Sequence, residues 1–197
     1  MFTVEPHIKG LIFDCDGTLA DTMPIHYLAW QETVRAFDAE FPEQLFYDLA
    51  GVPSDKIVTI LNETFGFQLQ PEVIAHQKEQ RFLQNLGQTQ PIEPVVALAK
   101  RYKGCLPMAV ATGGVAQVAL SVLETIGLGN FFDTIVTADD VTRGKPAPDI
   151  FLEAARRIDV QPENCQVFED SELGLEGARR AGMVAVDIRP VYAMQKV

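Results

Sequence analysis

The chain has 197 residues, and 47% of them are apolar, which suits one good core or a core with a small second domain. The net charge of −11, with no basic run, argues against binding to nucleic acids or anionic membranes. A small anionic substrate remains compatible with this charge, because a site needs only local positive charge.

The cysteines and the N-terminus predict a cytoplasmic protein. The three cysteines, Cys15, Cys105 and Cys165, are odd in number, and no pair of them has a short metal-type spacing. This favours free buried thiols in a reducing compartment. The first residues, MFTVEPHIKG, lack the basic-then-apolar layout of a signal peptide, and no apolar run reaches membrane-spanning length. We therefore expect no membrane partner.

The first predicted strand, KGLIFD (9–14), is followed by a stretch in which only helices are predicted. Between about 23 and 88 we expect no strand and three helices, at 24–37, 54–65 and 71–86. The first begins with Pro24, and the second begins with Ser54 and is followed by Gly66, which are typical helix start and stop signals. The pattern indicates a small helical domain inserted after the first strand.

Beyond this insert, short apolar runs alternate with helical patterns. Further strands are predicted at 106–112, 133–138, 165–170 and 183–188, and helices at 115–128, 149–160 and 172–182. Alternation of this kind is typical of a mostly parallel sheet with helices on both faces. The predicted fold class is α/β, with a doubly wound, Rossmann-like parallel sheet and an inserted helical cap. We expect residues 1–20 and 90–197 to form the core and residues 21–89 to form the cap.

Polar residues follow four of the predicted strands, and in a doubly wound sheet ligands bind beyond the carboxyl ends of the strands. These residues are Asp14 and Asp16 after the first, Thr112, Gly113 and Gly114 after the second, Lys145 some distance after the third, and Glu169 and Asp170 after the fourth. Each has a plainer interpretation as well. Asp170 is also suited to capping a helix, Thr112–Gly113 to forming a turn, and Lys145 to lying in solvent. Asp14 is harder to explain in this way, because a desolvated carboxylate needs a partner.

A divalent cation would relieve the repulsion between these carboxylates. Oxygen ligands without histidine or thiolate suit Mg²⁺. Gly113 and Gly114 would let backbone N–H groups approach phosphate oxygens, and Lys145 adds positive charge. Residues two apart in a strand face the same way, so Asp14 and Asp16 are predicted to flank one phosphorus while Cys15 points elsewhere. The set predicts phosphoryl transfer with Asp14 as nucleophile and Asp16 as general acid and base.

At this point the chain resembles the haloacid dehalogenase superfamily of aspartate-nucleophile phosphotransferases. The motifs DCDGT, ATG, GKPAPD and FEDS match in order and spacing, and the helical insert resembles the cap of the β-phosphoglucomutase-like subgroup. The resemblance implies that Asp14 and Asp170 bind Mg²⁺, that Asp16 supplies a backbone carbonyl to the metal, and that Glu169 supports it. It also implies that Thr112 and Lys145 bind the transferred phosphoryl group.

The resemblance places three further residues in the cap. His26 matches a histidine that steadies the acid/base when the cap closes, although it could also be an ordinary surface histidine. Gly51 matches the cap-loop glycine, and Lys78 matches a cap lysine. The dehalogenases of the superfamily lack the second aspartate, so Asp16 argues against that chemistry.

The choice between phosphatase and mutase depends on the cations of the cap. Mutases of the subgroup place a lysine before the cap-loop glycine and an arginine three residues after it, and here those positions are Ala50 and Ser54. The loss favours a sugar-phosphate phosphatase of the fructose-1-phosphatase type, with a phosphohexomutase as the alternative. A non-catalytic binding or regulatory protein on the same scaffold is the third interpretation. We expect a small phosphorylated metabolite as the ligand, and a monomer or weak dimer.

Overall fold

The computed structural model describes residues 2–191, and a five-stranded parallel sheet forms its centre. The strands are β1 Gly10–Phe13, β2 Met108–Ala111, β3 Thr134–Val136, β4 Cys165–Glu169 and β5 Val184–Asp187. Their order across the sheet is β3-β2-β1-β4-β5, and each neighbouring pair is parallel. All five predicted strands are confirmed. The order reverses between β1 and β4, so a crevice opens at the carboxyl ends of these two strands.

Eight α-helices lie in the described part of the chain. They are α1 Met23–Arg35, α2 Glu43–Asp48, α3 Ser54–Phe65, α4 Pro71–Asn85, α5 Glu93–Tyr102, α6 Ala116–Thr125, α7 Asp149–Arg157 and α8 Glu172–Arg180. The six predicted helices are confirmed, with ends that differ by a few residues. The sequence analysis missed α2, which is too short to show a helical period. It also missed α5, although Pro94 near the start of this helix is a typical start signal.

Helices cover both faces of the sheet, as the apolar strands require. Alternate strand residues point to opposite faces. Leu11 and Phe13 join α5 and α6 in one apolar cluster, whereas Ile12 joins α7 and α8 in the other. The predicted doubly wound α/β fold is therefore confirmed, and β1 is buried on both sides at the middle of the sheet.

The insert between β1 and α5 is helical, and within residues 23–88 the structure has no strand, as predicted. Its helices bury an apolar cluster of their own, which includes Trp30, Phe41 and Leu61. Ala29 of α1 and Phe82 of α4 belong instead to the cluster beside the sheet, which ties the insert to the core. The domain division at residues 20–21 and 89–90 stays a prediction, and residues 192–197 of the predicted core lie outside the described residues.

Among the described residues, no helix has the length and apolar character that crossing a membrane requires.

Candidate active site

A small cavity lies at the carboxyl ends of the strands, between the sheet and the helical insert. Its volume of about 70 Å³ is far below the roughly 300–1,000 Å³ of open ligand pockets, so the insert is closed over it. Its core side is lined by Asp14, Asp16, Thr112, Gly113, Gly114, Glu169, Asp170 and Ser171. Its other side is lined by residues of the insert, including His26, Gly51 and Lys78. The predicted site residues thus come together in one place, with Lys145 packed directly behind them.

Asp14 comes directly after β1 and is held by a buried ammonium group. Its backbone N–H donates to the carbonyl of Phe168, which extends the pairing of β1 with β4. Lys145 Nζ donates to Asp14 Oδ1 at 2.6 Å and to Glu169 Oε2 at 2.7 Å. Glu169 accepts two further bonds at its Oε1, from the N–H and the hydroxyl of Ser171. Lys145 is therefore a buried partner of two carboxylates, and the interpretation as a loop lysine in solvent is wrong.

Burial favours the neutral form of each of these groups, so it raises the pKa of a carboxyl and lowers the pKa of a lysine. Burial raises the pKa of the Asp14 carboxyl well above its usual range, and the Glu169 carboxylate adds to this while Lys145 opposes it. Burial alone would lower the pKa of Lys145, but the Asp14 and Glu169 carboxylates raise it on balance. Lys145 therefore stays protonated, and its charge is available to a phosphoryl group beside Asp14.

Asp14, Glu169 and Asp170 form a cluster in which one carboxylate oxygen of each lies within 4.8 Å of the others. Burial raises the pKa of Asp170 to about 8, with Glu169 adding to the effect, and Thr18 Oγ1 donates to Asp170 Oδ1 at 3.0 Å. Lys145 is the one ammonium bonded to this cluster among the described residues. Two buried carboxylates and one partly buried carboxylate, with one cation, leave room for a second cation, and the all-oxygen donor set fits Mg²⁺.

The turn after β1 requires glycine at position 17. Gly17 has a φ of 79°, which side chains rarely adopt, and a Cβ there would overlap the Asp170 carboxylate. This turn brings Asp16 to the same cavity as Asp14. Because β1 ends at Phe13, strand alternation is not what aligns the two aspartates, and the turn does it instead. Cys15 is buried in the core cluster, as expected.

Asp16 has a different set of partners from Asp14. Its Oδ1 accepts from Thr22 Oγ1 at 2.7 Å and lies 3.0 Å from His26 Nε2. Lys78 Nζ lies 2.8 Å from His26 Nδ1. Because an ammonium group can only donate, His26 accepts at Nδ1 and donates from Nε2 to Asp16. Burial alone would raise the pKa of Asp16, but the positive charge of the His26–Lys78 pair and the bonds from His26 and Thr22 lower it to about 2.

His26 is a buried residue at this site, so the interpretation as an ordinary surface histidine is wrong. Its ring stacks on Phe82 with centroids 3.8 Å apart. Lys78 is also buried, and its Nζ lies 5.5 Å from the ring centres of Trp30 and Phe82. The insert therefore contributes a buried chain of contacts, from Lys78 through His26 to the Asp16 carboxylate.

The loop after β2 meets the loop after α2 across the cavity. Thr112 Oγ1 accepts from the N–H of Gly114 at 3.1 Å, which fixes the start of the turn. A Cβ on Gly113 would overlap the carbonyl oxygen of Gly51, so glycine is needed where the two loops touch. Gly51 has a φ of 85° and lies against the side chains of Lys145 and Ser171. The cap-loop glycine thus lines the cavity at the point where the two loops touch.

The insert side of the cavity has little free positive charge. Ala50 and Ser54 line it where mutases carry cations, as the sequence analysis expected. Lys56 pairs with Asp55 at 3.5 Å, is largely exposed, and lines an outer groove instead of the cavity. The described residues offer one ammonium group on this wall, that of Lys78, and it is bonded to His26 and Glu79.

Several residues of the site escaped the sequence analysis. Thr18, Thr22 and Ser171 orient the predicted carboxylates, and Glu79 lines the insert side of the cavity. The hydroxyl of Ser171 also caps α8 by accepting from the N–H of Gly174. A helix-capping serine directly after Glu169–Asp170 was a signal that could have been read from the sequence.

Comparison with known proteins identifies the family. The model of the haloacid dehalogenase-like hydrolases matches residues 8–182. The chain is 41% identical over 180 residues to the fructose-1-phosphate phosphatase YqaB of Escherichia coli, covering 91% of this chain and 96% of that protein. This protein belongs to the haloacid dehalogenase-like hydrolases, and the predicted family and enzyme class, a phosphatase of this type, are confirmed.

Members of the β-phosphoglucomutase group are also similar. The chain is 28% identical over 188 residues to the β-phosphoglucomutase of Bacillus subtilis, covering 92% of this chain and 83% of that protein. The solved β-phosphoglucomutase of Clostridium difficile superposes with a TM-score of 0.82 at 22% identity and covers 96% of both chains. This structural likeness confirms the fold of a sheet core with an inserted helical part.

Proposed function

We propose that this protein is a Mg²⁺-dependent phosphatase that hydrolyses small phosphorylated sugars through an aspartyl-phosphate on Asp14. The observation that carries the proposal is the pair of aspartates on one closed cavity, each with its own partners. Asp14 is bonded to the Lys145 ammonium, and Asp16 is bonded to Thr22 and His26. Two carboxylates in such different environments are suited to two different roles.

In the first half of the reaction, an Asp14 oxygen attacks phosphorus and the bond between phosphorus and the sugar oxygen breaks. Asp16 gives its proton to that oxygen, so the sugar leaves as an alcohol. Lys145, Thr112 and the N–H of Gly113 hold the phosphoryl oxygens and stabilise their charge. Because its lowered pKa leaves Asp16 ionised at rest, Asp16 must first take up a proton from solvent, and the contact with His26 keeps its carboxyl oriented.

In the second half, water attacks the phosphorus of the aspartyl-phosphate and Asp16 accepts its proton. The bond to Asp14 breaks, which releases inorganic phosphate and restores the carboxylate. The carboxylates of Asp14 and Asp170, the backbone carbonyl of Asp16 and the support of Glu169 would hold Mg²⁺, and this fits the cluster of three carboxylates. When bound, Mg²⁺ neutralises charge on the carboxylates and on the phosphoryl group.

Similarity to the E. coli fructose-1-phosphate phosphatase supports a phosphorylated sugar as the substrate. The neutral Ala50 and Ser54 support water as the final acceptor, because a mutase must hold a second phosphate. The alternative function is a phosphohexomutase of the β-phosphoglucomutase type, favoured by the likeness to those enzymes. With β-glucose 1-phosphate and its 1,6-bisphosphate, we expect released phosphate and little glucose 6-phosphate. Faster formation of the 6-phosphate would establish the mutase.

The phosphatase proposal is tested by the isosteric change Asp14→Asn. A neutral amide cannot form the acyl-phosphate, so we expect phosphate release from p-nitrophenyl phosphate and fructose 1-phosphate to fall by at least about 10³-fold. The parent enzyme should lose activity with a chelator and regain it with Mg²⁺. Substantial activity in Asp14→Asn, or full activity of the parent after exhaustive chelation, would contradict the proposal. No activity in the parent with any phosphate ester would favour a non-catalytic binding protein.

A further inference from the structure

One carboxylate of the helical insert faces the cavity without a role in the proposed chemistry. Glu79 lies on α4, directly after Lys78, and lines the cavity on the side opposite the strand ends. Among the described residues that line this cavity, it is the one acidic side chain that the insert contributes. Its Oε1 accepts from Ser54 Oγ at 2.5 Å and from Lys78 Nζ at 3.2 Å.

The second oxygen of this carboxylate has no such partner. Glu79 Oε2 is buried and makes no hydrogen bond to the described residues. A buried acceptor without a donor is costly, and native proteins rarely keep one without a reason. Ser54 and Lys78 fix Oε1, so they also fix the direction in which Oε2 points. Glu79 Oε2 is therefore oriented to accept a hydrogen bond from a donor that the described residues do not supply.

The position of Glu79 matches the leaving-group side of the site. Asp16, which protonates the leaving oxygen, contacts His26, His26 contacts Lys78, and Lys78 contacts Glu79. Glu79 also lines the outer groove between the insert and the core, so it stands between the closed cavity and this groove. A sugar that leaves from phosphorus toward Asp16 would extend toward this residue.

The charge of Glu79 selects among possible leaving groups. A hydroxyl group can donate to Oε2, whereas a second phosphate would meet a negative charge there. The ammonium of Lys78 offers little compensation, because it is already bonded to His26 and Glu79. Lys56 lines only the outer groove. The site is therefore complementary to a phosphate ester whose far end is neutral and carries hydroxyl groups.

We propose that Glu79 is a specificity-determining residue, which accepts a hydroxyl of the substrate at Oε2 and rejects a second phosphate. The inference rests on the proposed phosphatase function and narrows its substrate class to monophosphates of sugars or sugar alcohols. Ser54 acts as the positioning partner that holds the carboxylate in place. Ser54 would therefore do more than replace the arginine that mutases have at this position, because its hydroxyl orients Glu79.

The test compares two alkyl esters that make the same demand on Asp16. The leaving group of n-butyl phosphate must be protonated but carries no hydroxyl group. The second ester carries several hydroxyl groups, and it is fructose 1-phosphate or glucitol 6-phosphate, whichever the parent hydrolyses faster. In Glu79→Gln we expect kcat/KM for the hydroxylated ester to fall roughly tenfold, since a charge-assisted hydrogen bond becomes a neutral one. For n-butyl phosphate kcat/KM should change by less than about twofold. Competitive inhibition by fructose 1,6-bisphosphate should strengthen severalfold.

The matched control is Glu72→Gln, which removes the same charge from an exposed position in the first turn of α4. It should leave kcat/KM for both esters unchanged. An equal loss on both esters in Glu79→Gln would show that Glu79 acts through Lys78 and Asp16, and would overturn the inference, as would no change on either ester. If the folded parent hydrolyses neither ester, the phosphatase function itself is wrong and the inference fails with it.

Discussion

Two aspartates that are two positions apart in the sequence have opposite electrostatic surroundings. Asp14 is buried beside two other carboxylates, and this raises its pKa, whereas the Lys145 ammonium opposes the shift. Asp16 is partly buried, and the His26–Lys78 pair and Thr22 lower its pKa to about 2. Without a metal these shifts favour a neutral Asp14 and an ionised Asp16, which is the reverse of what a nucleophile and a general acid require. The proposed roles therefore depend on a cation beside Asp14, which would lower its pKa, and on a proton that Asp16 takes up before the first step.

The change Asp16→Asn should separate the two halves of the reaction. p-Nitrophenyl phosphate has a good leaving group, so Asp14 can still be phosphorylated without an acid. Hydrolysis of the aspartyl-phosphate should slow by about 10²–10⁴-fold, because no base activates the water. Intact-protein mass spectrometry should then detect a phosphorylated enzyme. Equal rates of hydrolysis of this intermediate in the variant and the parent would contradict the role of Asp16.

The change Asp170→Asn should stabilise the metal-free protein while it removes activity. Asp170 lies within the cluster of three carboxylates, and the amide keeps an oxygen for the Thr18 hydroxyl. Replacing a carboxyl whose charge is opposed by burial and by Glu169 should raise the melting temperature, by about 2–4 °C for each kcal/mol in a chain of this size. Saturating Mg²⁺ should raise the melting temperature of the parent and have little effect on the variant.

Differential scanning calorimetry in chelator and in Mg²⁺ makes this comparison. The change Asp38→Asn, at an exposed residue that does not line the cavity, is a suitable control. A variant that is less stable than the parent in chelator, or that is stabilised by Mg²⁺ as strongly as the parent, would contradict a metal site at Asp170.

At the scale of the elements, closure of the insert depends on a contact between two loops. The loop after α2 brings the carbonyl of Gly51 against Gly113, which belongs to the loop after β2. The same contact places Gly51 beside Lys145 and Ser171. Closure therefore positions the insert directly over the residues proposed to hold the phosphoryl group.

The change Gly113→Ala should keep the insert from closing fully. Its Cβ would overlap the Gly51 carbonyl, and backbone atoms must shift to accommodate it. A displacement of about 1 Å near the reacting groups costs on the order of 10²-fold in rate, so we expect kcat/KM to fall by about 10–100-fold. Gly114→Ala is the comparison, because a Cβ there meets only atoms at 3.5 Å or beyond, and its loss should be much smaller. Similar losses in the two variants would contradict the closure argument.

At the scale of the whole molecule, the burial of the three cysteines shows which parts of the chain are packed in the core. Cys15 and Cys165 are buried, but Cys105 is exposed, so the expectation of three buried thiols is wrong for Cys105. Burial raises the pKa of Cys165 to about 11 and that of Cys15 well above its usual range. Because the thiolate is the reactive form, both buried thiols stay protonated and inert near neutral pH.

Alkylation with iodoacetamide at pH 8 should therefore modify only Cys105 in the folded protein. All three cysteines should react in guanidinium chloride, and peptide mass spectrometry identifies the sites. Rapid modification of Cys15 in the native protein would mean that the core beside the active site opens readily.

The sequence by itself determined the sheet, most of the helices and which residues would meet at the edge of the sheet. Buried parallel strands appear as continuous apolar runs, and their carboxyl ends meet at one edge, so Asp14, Asp16, Lys145 and Asp170 could be predicted to converge. The helix α2 was missed because six residues are too few to show a period. The roles of the named residues remain predictions until the variants are measured.

Only the tertiary structure decided how the charges at the site are paired. The sequence shows Lys78 only as a match to a cap lysine, whereas the structure shows it bonded to His26 and Glu79. Glu79, with one oxygen fixed and the other without a partner, was not recognised at all. The physical reason is that pairing depends on distances of about 3 Å between α1, α3, α4 and the turn after β1. Spacing along a chain sets which face of one helix a residue occupies, but not which residue of another element it meets.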